Sequence, residues 1–211
     1  MLPPIALTPD KKDCIIDMCA APGSKTTQMA MMMKNTGTIF ANDVNTKRLK
    51  ALAHNIQKCG VANCIIINYD GRFLWKIGIE ANKILLDAPC TASGKIIKSK
   101  RVIENWSYGR VIKMSKLQKK LIESAYECLQ KDGLLVYSTC SLEPEENEEV
   151  IDYAIKNFNF EAEEFGIKGI KSRKGIKKWN GREYEGAEKA MRVWPHDNLT
   201  EGFFICKLRK Y

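Results

Sequence analysis

The chain has 211 residues, enough to bury one well-formed core and short for two. Hydrophobic residues make up 45% and charged residues 28%, which excludes a disordered or fibrous chain, and no apolar run approaches the roughly 20 residues that cross a bilayer. The net charge of +9 comes from lysine more than from missing acids and points toward a polyanionic partner, although a lysine-coated surface also serves plain solubility.

Residues 1–12 read as a Pro-containing lead-in without periodicity, and Met1-Leu2-Pro3-Pro4 lacks the basic start and apolar core of a signal peptide, so a cytoplasmic location is expected. Cys14 to Met18 reads as a short buried strand, followed by a turn of small residues from Cys19 to Lys25 and a helix from about Thr26 to Met33. Strand, small-residue turn and helix let backbone amides approach a nucleotide-like ligand, but there is no GxGxxG, which disfavours NAD. The run Met29 to Met33 reads as core packing. Thr38 to Ala41 is the second strand and ends at Asn42-Asp43, where Rossmann-like folds hold ribose hydroxyls on a carboxylate. Asp43 is also placed to cap the helix that starts near Asn45 and ends at Lys58 before Gly60, and the two roles can coexist. Cys64 to Asn68 is the third strand, ending at Tyr69-Asp70-Gly71, and Lys83 to Leu86 is the fourth, ending in Asp87-Ala88-Pro89-Cys90. Strands alternating with helices imply a parallel sheet with right-handed crossovers, and three acids in phase at successive strand ends suggest one shared ligand edge.

From Thr91 to Lys120 the chain turns basic, with Lys95, Lys98, Arg101 and Arg110 among the cations and Trp106 and Tyr108 between them. That mixture suits phosphate contacts plus base stacking; it is equally the solvated face of an amphipathic helix over 111–129. After the turn pair Asp132-Gly133, Leu134 to Tyr137 reads as a buried strand that stops at the small polar residues Ser138, Thr139, Cys140 and Ser141. Pro144 opens a helix whose first turns hold Glu145, Glu146, Glu148 and Glu149, where negative charge suits the helix dipole. Cys140 therefore sits on a strand-to-helix turn at the edge where open sheets present ligands. Lys168 to Lys178 reads as a mobile surface loop, and the chain closes with a turn from Arg192 to His196 and a last strand near Gly202 to Leu208. Eight cysteines without a CxxC, beside two histidines, argue for reduced thiols and no metal site. With no repeat, linker or second core, 1–211 is expected to be a single catalytic domain whose N-terminal extension is missing.

Four segments taken together, DMCAAPGSKT (17–26), LLDAPCTASG (85–94), YSTCSLEPEENEEV (137–150) and RVWPHDNLTEGFF (192–204), resemble the RNA cytosine-5 methyltransferase family, the bacterial rRNA and eukaryotic tRNA and nucleolar group. The resemblance covers almost the whole chain in the right order. It departs at Thr91-Ala92-Ser93-Gly94, where the family more often has Ser-Gly-x-Gly, at Ser24, where glycine is usual, and in lacking the N-terminal RNA-binding extension. It implies an α/β fold, the Rossmann-like S-adenosylmethionine-dependent methyltransferase fold, with a mostly parallel seven-stranded sheet and helices on both faces. It also implies methyl transfer from S-adenosylmethionine to carbon 5 of cytosine in RNA, with tRNA preferred over rRNA for the compact single-domain form; the sequence leaves the oligomeric state open, with a monomer slightly favoured, and gives no sign of a metal or membrane partner.

Carbon 5 of cytosine is too poor a nucleophile to take a methyl group unaided, and thiolate addition at carbon 6 makes the ring enamine-like. In the family the Thr-Cys cysteine is the nucleophile, which implies Cys140 here, and the Pro-Cys cysteine, here Cys90, assists proton removal and product release. Asp87 is implied to hydrogen-bond the cytosine edge, with Lys25 nearby. For the cofactor the resemblance implies the loop Cys19, Ala20, Ala21, Pro22, Gly23, Ser24 and Lys25, then Asp43 on the ribose, Asp70 near the adenine, and Asp87. Arg192, Pro195 and His196 are expected to shape the pocket wall. Base flipping is expected, since a stacked base hides both ring faces, and looped or single-stranded RNA makes it cheaper. A DNA cytosine-5 methyltransferase would show Pro-Cys-Gln and Glu-Asn-Val, and neither is present. An inactive assembly factor on the same fold has no need of Cys140, Cys90 and Asp87.

Overall fold

The computed structural model describes residues 1–211. The first half holds α1 (Leu2–Leu7), β1 (Cys14–Asp17), α2 (Ser24–Met32), β2 (Thr38–Asn42), α3 (Thr46–Lys58), β3 (Cys64–Ile67), β4 (Ala81–Asp87) and α4 (Arg101–Glu104). The second half holds α5 (Tyr108–Cys128), β5 (Leu129–Thr139), α6 (Glu148–Asn157), β6 (Phe160–Glu163), β7 (Arg173–Lys174), β8 (Lys178–Trp179), β9 (Arg182–Glu183), β10 (Met191–Val193), α7 (Pro195–Asn198) and β11 (Phe203–Lys210). A 3-10 helix, Gly71–Ile77, fills the β3–β4 connection.

One sheet has the order β3-β2-β1-β4-β5-β11-β10-β7, and β6 also pairs with β11. The strands from β3 to β5 are parallel, and β11 runs antiparallel beside β5. The outer edge of β11 is divided: Phe203 to Ile205 pair with β10, and Lys207 to Lys210 pair with β6. The sheet thus has nine strands rather than the seven expected. The additions are β7 and β10, and strands of two or three residues carry no readable alternation. Arg173 and Lys174 lie in the stretch read as a mobile loop, yet they are ladder partners of Arg192 and Met191. The lead-in also has structure. Pro3 and Pro4 open α1, where a missing N–H costs nothing, and Ala6 and Leu7 are buried against the sheet.

Alternate residues divide the core between the two sheet faces. Ile16, Ile84, Leu86, Leu135, Tyr137 and Phe204 point to the face covered by α5 and α6. Their neighbours Ile15, Leu85, Leu134, Val136 and Ile205 point to the face covered by α1 and α2, where Met29 and Met33 are fully buried as expected while Met31 is exposed. Burial on both faces explains why the central strands read as continuous apolar runs. The strand order reverses between β1 and β4, so the loops after the parallel strands meet at one edge with a crevice between them.

Behind that edge Arg192 and Glu148 form a buried bidentate ion pair, with Nε and Nη2 each 2.6 Å from a carboxylate oxygen. Arg192 also donates to the carbonyl of Leu142, two residues past Cys140. Removing one partner of such a pair strands the other charge in the core. Arg192→Ala should therefore lower the unfolding free energy by about 3–5 kcal/mol, read from the urea midpoint. A loss under about 1 kcal/mol would mean that Glu148 is satisfied without the guanidinium.

Candidate active site

A cleft of about 280 Å³ opens at the switch point between β1 and β4. Each parallel strand of the β3–β5 set contributes from its C-terminal end: Cys19 and Ala21 after β1, Asn42 and Asp43 after β2, Asp70 and Gly71 after β3, Asp87 to Cys90 and Ala92 after β4, and Cys140 after β5. Cys140, Cys90, Asp87, Cys19, Ala21, Asp43 and Asp70 are thus brought together as expected. Ala20, Pro22, Gly23, Ser24 and Lys25 do not line this cleft and instead build the turn beside it. Arg192, Pro195 and His196 do not line it either. Arg192 is buried behind the loop after Cys140, while His196 is exposed with Nε2 3.1 Å from Arg173.

At one end lie the acids. Asp43 is buried, and its carboxylate accepts from the amides of Ala21 (3.2 Å) and Asn45 (2.9 Å). Arg48 sits 3.3 Å from the same carboxylate and donates to the carbonyl of Ala21. The N-cap of α3 is Asn45, whose side chain accepts from Lys47 and Arg48, so Asp43 braces the first turn without capping the helix. A carboxylate has about four acceptor positions, and the two amides and Arg48 take three of those on Asp43. Asp70 caps the 3-10 helix and is gripped by Arg72, whose hydrogen bonds hold the carboxyl below its ordinary range. Asn42 was invisible as a functional residue: its amide donates to Met18 and accepts from Tyr69, tying three strand tips together. Gly23, at φ 104°, lets α3 approach the turn, since a Cβ there would lie 2.7 Å from Leu52. The first turn of α2, beside the cleft, has no side-chain cap, so its amides have no side-chain partner. Spare acceptor capacity on Asp43 and these amides fit a nucleoside that also carries an amino-acid group, as S-adenosylmethionine does.

At the other end lie two sulfurs, Cys90 Sγ and Cys140 Sγ, 3.2 Å apart. The hydrogen bond from Cys90 holds the Cys140 thiol below its ordinary range, with help from Lys95 and Lys25 against burial and Asp87. The same bond, together with burial, raises Cys90. Cys140 is therefore the more acidic sulfur of the pair, the one on which a thiolate is favoured, with Cys90 as its donor. Burial raises the third cleft cysteine, Cys19, first of all, and the surrounding acids add to it. Asp87 accepts from Lys25 Nζ at 2.5 Å and from Ser138 Oγ at 2.8 Å.

Glu145 and Glu146 lie in the first turn of the 3-10 helix Pro144–Glu146, and Glu148 and Glu149 in that of α6, as expected, but Glu146 and its neighbour Glu143 do more. Glu146, fully buried, accepts from the Thr91 amide (3.0 Å), the Thr91 hydroxyl and Gln118 Nε2 (2.9 Å), while Tyr137 donates to its carbonyl at 2.6 Å. Gln118 also donates to the carbonyl of Pro89 at 2.9 Å. Burial pushes Glu143 up, but hydroxyls of Ser141 and Ser93 and the Trp106 indole N–H outweigh it and hold the carboxyl low. These bonds join the Cys90 loop to the Cys140 loop. Gly94 completes the join by donating to Cys140 and accepting from Gly202, and a Cβ there would lie 2.6 Å from the Gly202 carbonyl. Ala92 adopts a left-handed φ of 62°, a conformation that favours glycine. Only the small residues of these loops were readable as functional; acids satisfied by distant partners carry no local signal.

Residues 4–209 match the family described as 16S rRNA methyltransferase RsmB/F, and the chain belongs to it. It is 41% identical over 211 residues to a tRNA (cytosine(49)-C(5))-methyltransferase of Pyrococcus abyssi, covering all of this chain and 68% of that protein. It is 40% identical over 216 residues to the human 28S rRNA (cytosine(4447)-C(5))-methyltransferase, covering all of this chain and 26% of that one. The crystal structure of NSun6 from Pyrococcus horikoshii with SFG, an analogue of S-adenosylmethionine, superposes with a TM-score of 0.84 at 38% identity, over 99% of this chain and 50% of that chain. The chain thus spans two thirds or less of most of these relatives.

If Cys90 is the main source of Cys140 acidity, Cys90→Ala should move the pH midpoint of Cys140 alkylation by iodoacetamide upward. A midpoint that stays in place would assign the acidity to Lys95 and Lys25 instead.

Proposed function

We propose that this chain transfers a methyl group from S-adenosylmethionine to carbon 5 of cytosine in RNA, through a transient bond between Cys140 and carbon 6. The observation that carries the proposal is the sulfur pair: two thiols 3.2 Å apart, the outcome of two separate loops, with only Cys140 acidified.

S-adenosylmethionine, when bound, supplies an electrophilic methyl group. Asp43 would hold its ribose, Asp70 would lie near its adenine, and the turn from Cys19 to Lys25 would meet its amino-acid end. Cys140 adds to carbon 6 as thiolate, which raises the electron density at carbon 5. Asp87, steadied by Lys25 and Ser138, accepts from the exocyclic amine of the cytosine. Once Cys140 is bonded to carbon it no longer accepts from Cys90. The Cys90 thiol then gives its own proton to solvent, its thiolate takes the carbon-5 proton, and the electrons of that C–H bond restore the ring as the carbon 6–sulfur bond breaks and returns Cys140 as thiolate. Trp106 and Tyr108, both exposed at the lip, offer faces to an unstacked base.

The RNA is read as tRNA, on the archaeal relative of which this chain covers the largest share among those compared above. The human relative is named for rRNA, and bisulfite sequencing of total RNA incubated with the chain and S-adenosylmethionine distinguishes the two. No helix is long and apolar enough to cross a membrane, and the reaction is assigned to the cytoplasm with the whole chain as one catalytic unit.

Cys140→Ala should abolish methyl transfer and leave cofactor binding nearly intact; retained turnover refutes the mechanism. Cys90→Ala should accumulate a protein–RNA adduct that survives a denaturing gel, and its absence would count against the release role. Asp43→Ala should weaken cofactor binding by roughly 1–3 kcal/mol in calorimetry, the cost of a lost charged hydrogen bond. An unchanged dissociation constant would reduce Asp43 to a brace for α3.

A further inference from the structure

The cleft does not end at the acids. Val44, Asp70 and Leu117 line both the cleft and a groove of about 520 Å³ between the 3-10 helix Gly71–Ile77 and α5. That groove shares Arg72 and Lys120 with a further depression of about 790 Å³ that reaches Phe73 and Trp75. Leu74 is buried and anchors the 3-10 helix, so its neighbours on either side face outward: Phe73 is 43% and Trp75 47% exposed. Lys76 Nζ lies 5.0 Å from the Phe73 ring centroid and 5.5 Å from that of Trp75, one cation against both rings. Across the groove, Lys113, Lys116 and Lys120 fall one per turn along α5, about 5.4 Å apart in rise.

The charges do not cancel. Arg72 is committed to Asp70 and Lys120 to Glu123, and Glu127 is the remaining acid in the lining. Lys76, Lys113 and Lys116 have no carboxylate within 4.0 Å. Unpaired lysines around exposed aromatic rings suit phosphates and unstacked bases. They suit a protein partner poorly, because the cores of protein interfaces are depleted in lysine. A duplex would keep its bases from the rings.

We propose that this groove is a second contact surface for the RNA substrate: a single-stranded stretch leaving the cleft stacks bases on Phe73 and Trp75 and sets phosphates against Lys76, Lys113 and Lys116. The inference rests on the RNA methyltransferase reading above and adds to it where the strand runs beyond the target base. It makes affinity depend on the length of single strand. A short oligonucleotide fills the cleft alone, and a longer one gains the groove.

The test uses the full chain and fluorescein-labelled single-stranded oligocytidylates of about 4 and about 16 nucleotides, with dissociation constants taken from anisotropy at several salt concentrations. The wild type should bind the long probe more tightly. Trp75→Ala and Phe73→Ala should each weaken the long probe about tenfold and leave the short one unchanged. The double variant Lys113→Ala/Lys116→Ala should make the salt dependence of long-probe binding shallower by about 0.7 per lysine. Cofactor binding should be the same in all of them, which reports intact folding. Variants that bind the long probe as the wild type does overturn the groove and leave a protein as its occupant, while methyl transfer by the same preparations would leave the catalytic reading standing. Equal affinity of the wild type for the two probes, or preference for a duplex, overturns it as well. A wild type that neither binds RNA nor transfers methyl removes both readings.

Discussion

Two loops from different strands must present sulfur atoms to one another, and a buried carboxylate holds them there. Glu146 has no water to share, so its acceptor positions are filled by the Cys90 loop through Thr91 and by α5 through Gln118. Gln118 in turn fixes the carbonyl of Pro89, one residue before Cys90. A buried carboxylate is costly unless such donors are present, which makes the arrangement all-or-none: the loops fit together or the acid is stranded. The hydrogen bond between the sulfurs, and hence the difference in their acidity, exists because this scaffold fixes both backbones.

That difference makes the site asymmetric. Two cysteines in similar surroundings would titrate alike, but one donates to the other, and the cations Lys95 and Lys25 favour the anion on the acceptor. The same cleft holds two carboxylates, Asp43 and Asp70, at its opposite end, on a chain whose net charge is +9. Acids inside and lysines outside give the cleft and its surroundings opposite potentials, so a polyanion is favoured on the outer face over the acid end of the cleft.

Much of this was legible in the sequence. The parallel strands could be read because residues buried on both faces give unbroken apolar runs, and the ligand edge because small polar residues follow them; the roles of the two cysteines rest on the family resemblance. Asp43, Asp70, Asp87, Cys90 and Cys140 reach one cleft for that reason. What stayed hidden shares a cause. Glu146 and Glu148 do lie in first turns, as expected, but local spacing cannot reveal that each is also held by a donor 28 or 44 residues away, at Gln118 and Arg192. Arg173 and Lys174 looked like loop because their ladder partners are on β10, and two exposed basic residues have no period to read. Arg192 was expected at the pocket wall; it supports that wall from behind.

The strand β11 closes the site as well as the sheet. It lies against β5 at the centre of the sheet, and Gly202, just before it, bonds to the Gly94 that holds the carbonyl of Cys140. One strand thereby covers the open edge of β5 and ties down the loop that carries the sulfur, so disturbing its pairing would loosen the sheet centre and the reactive loop together.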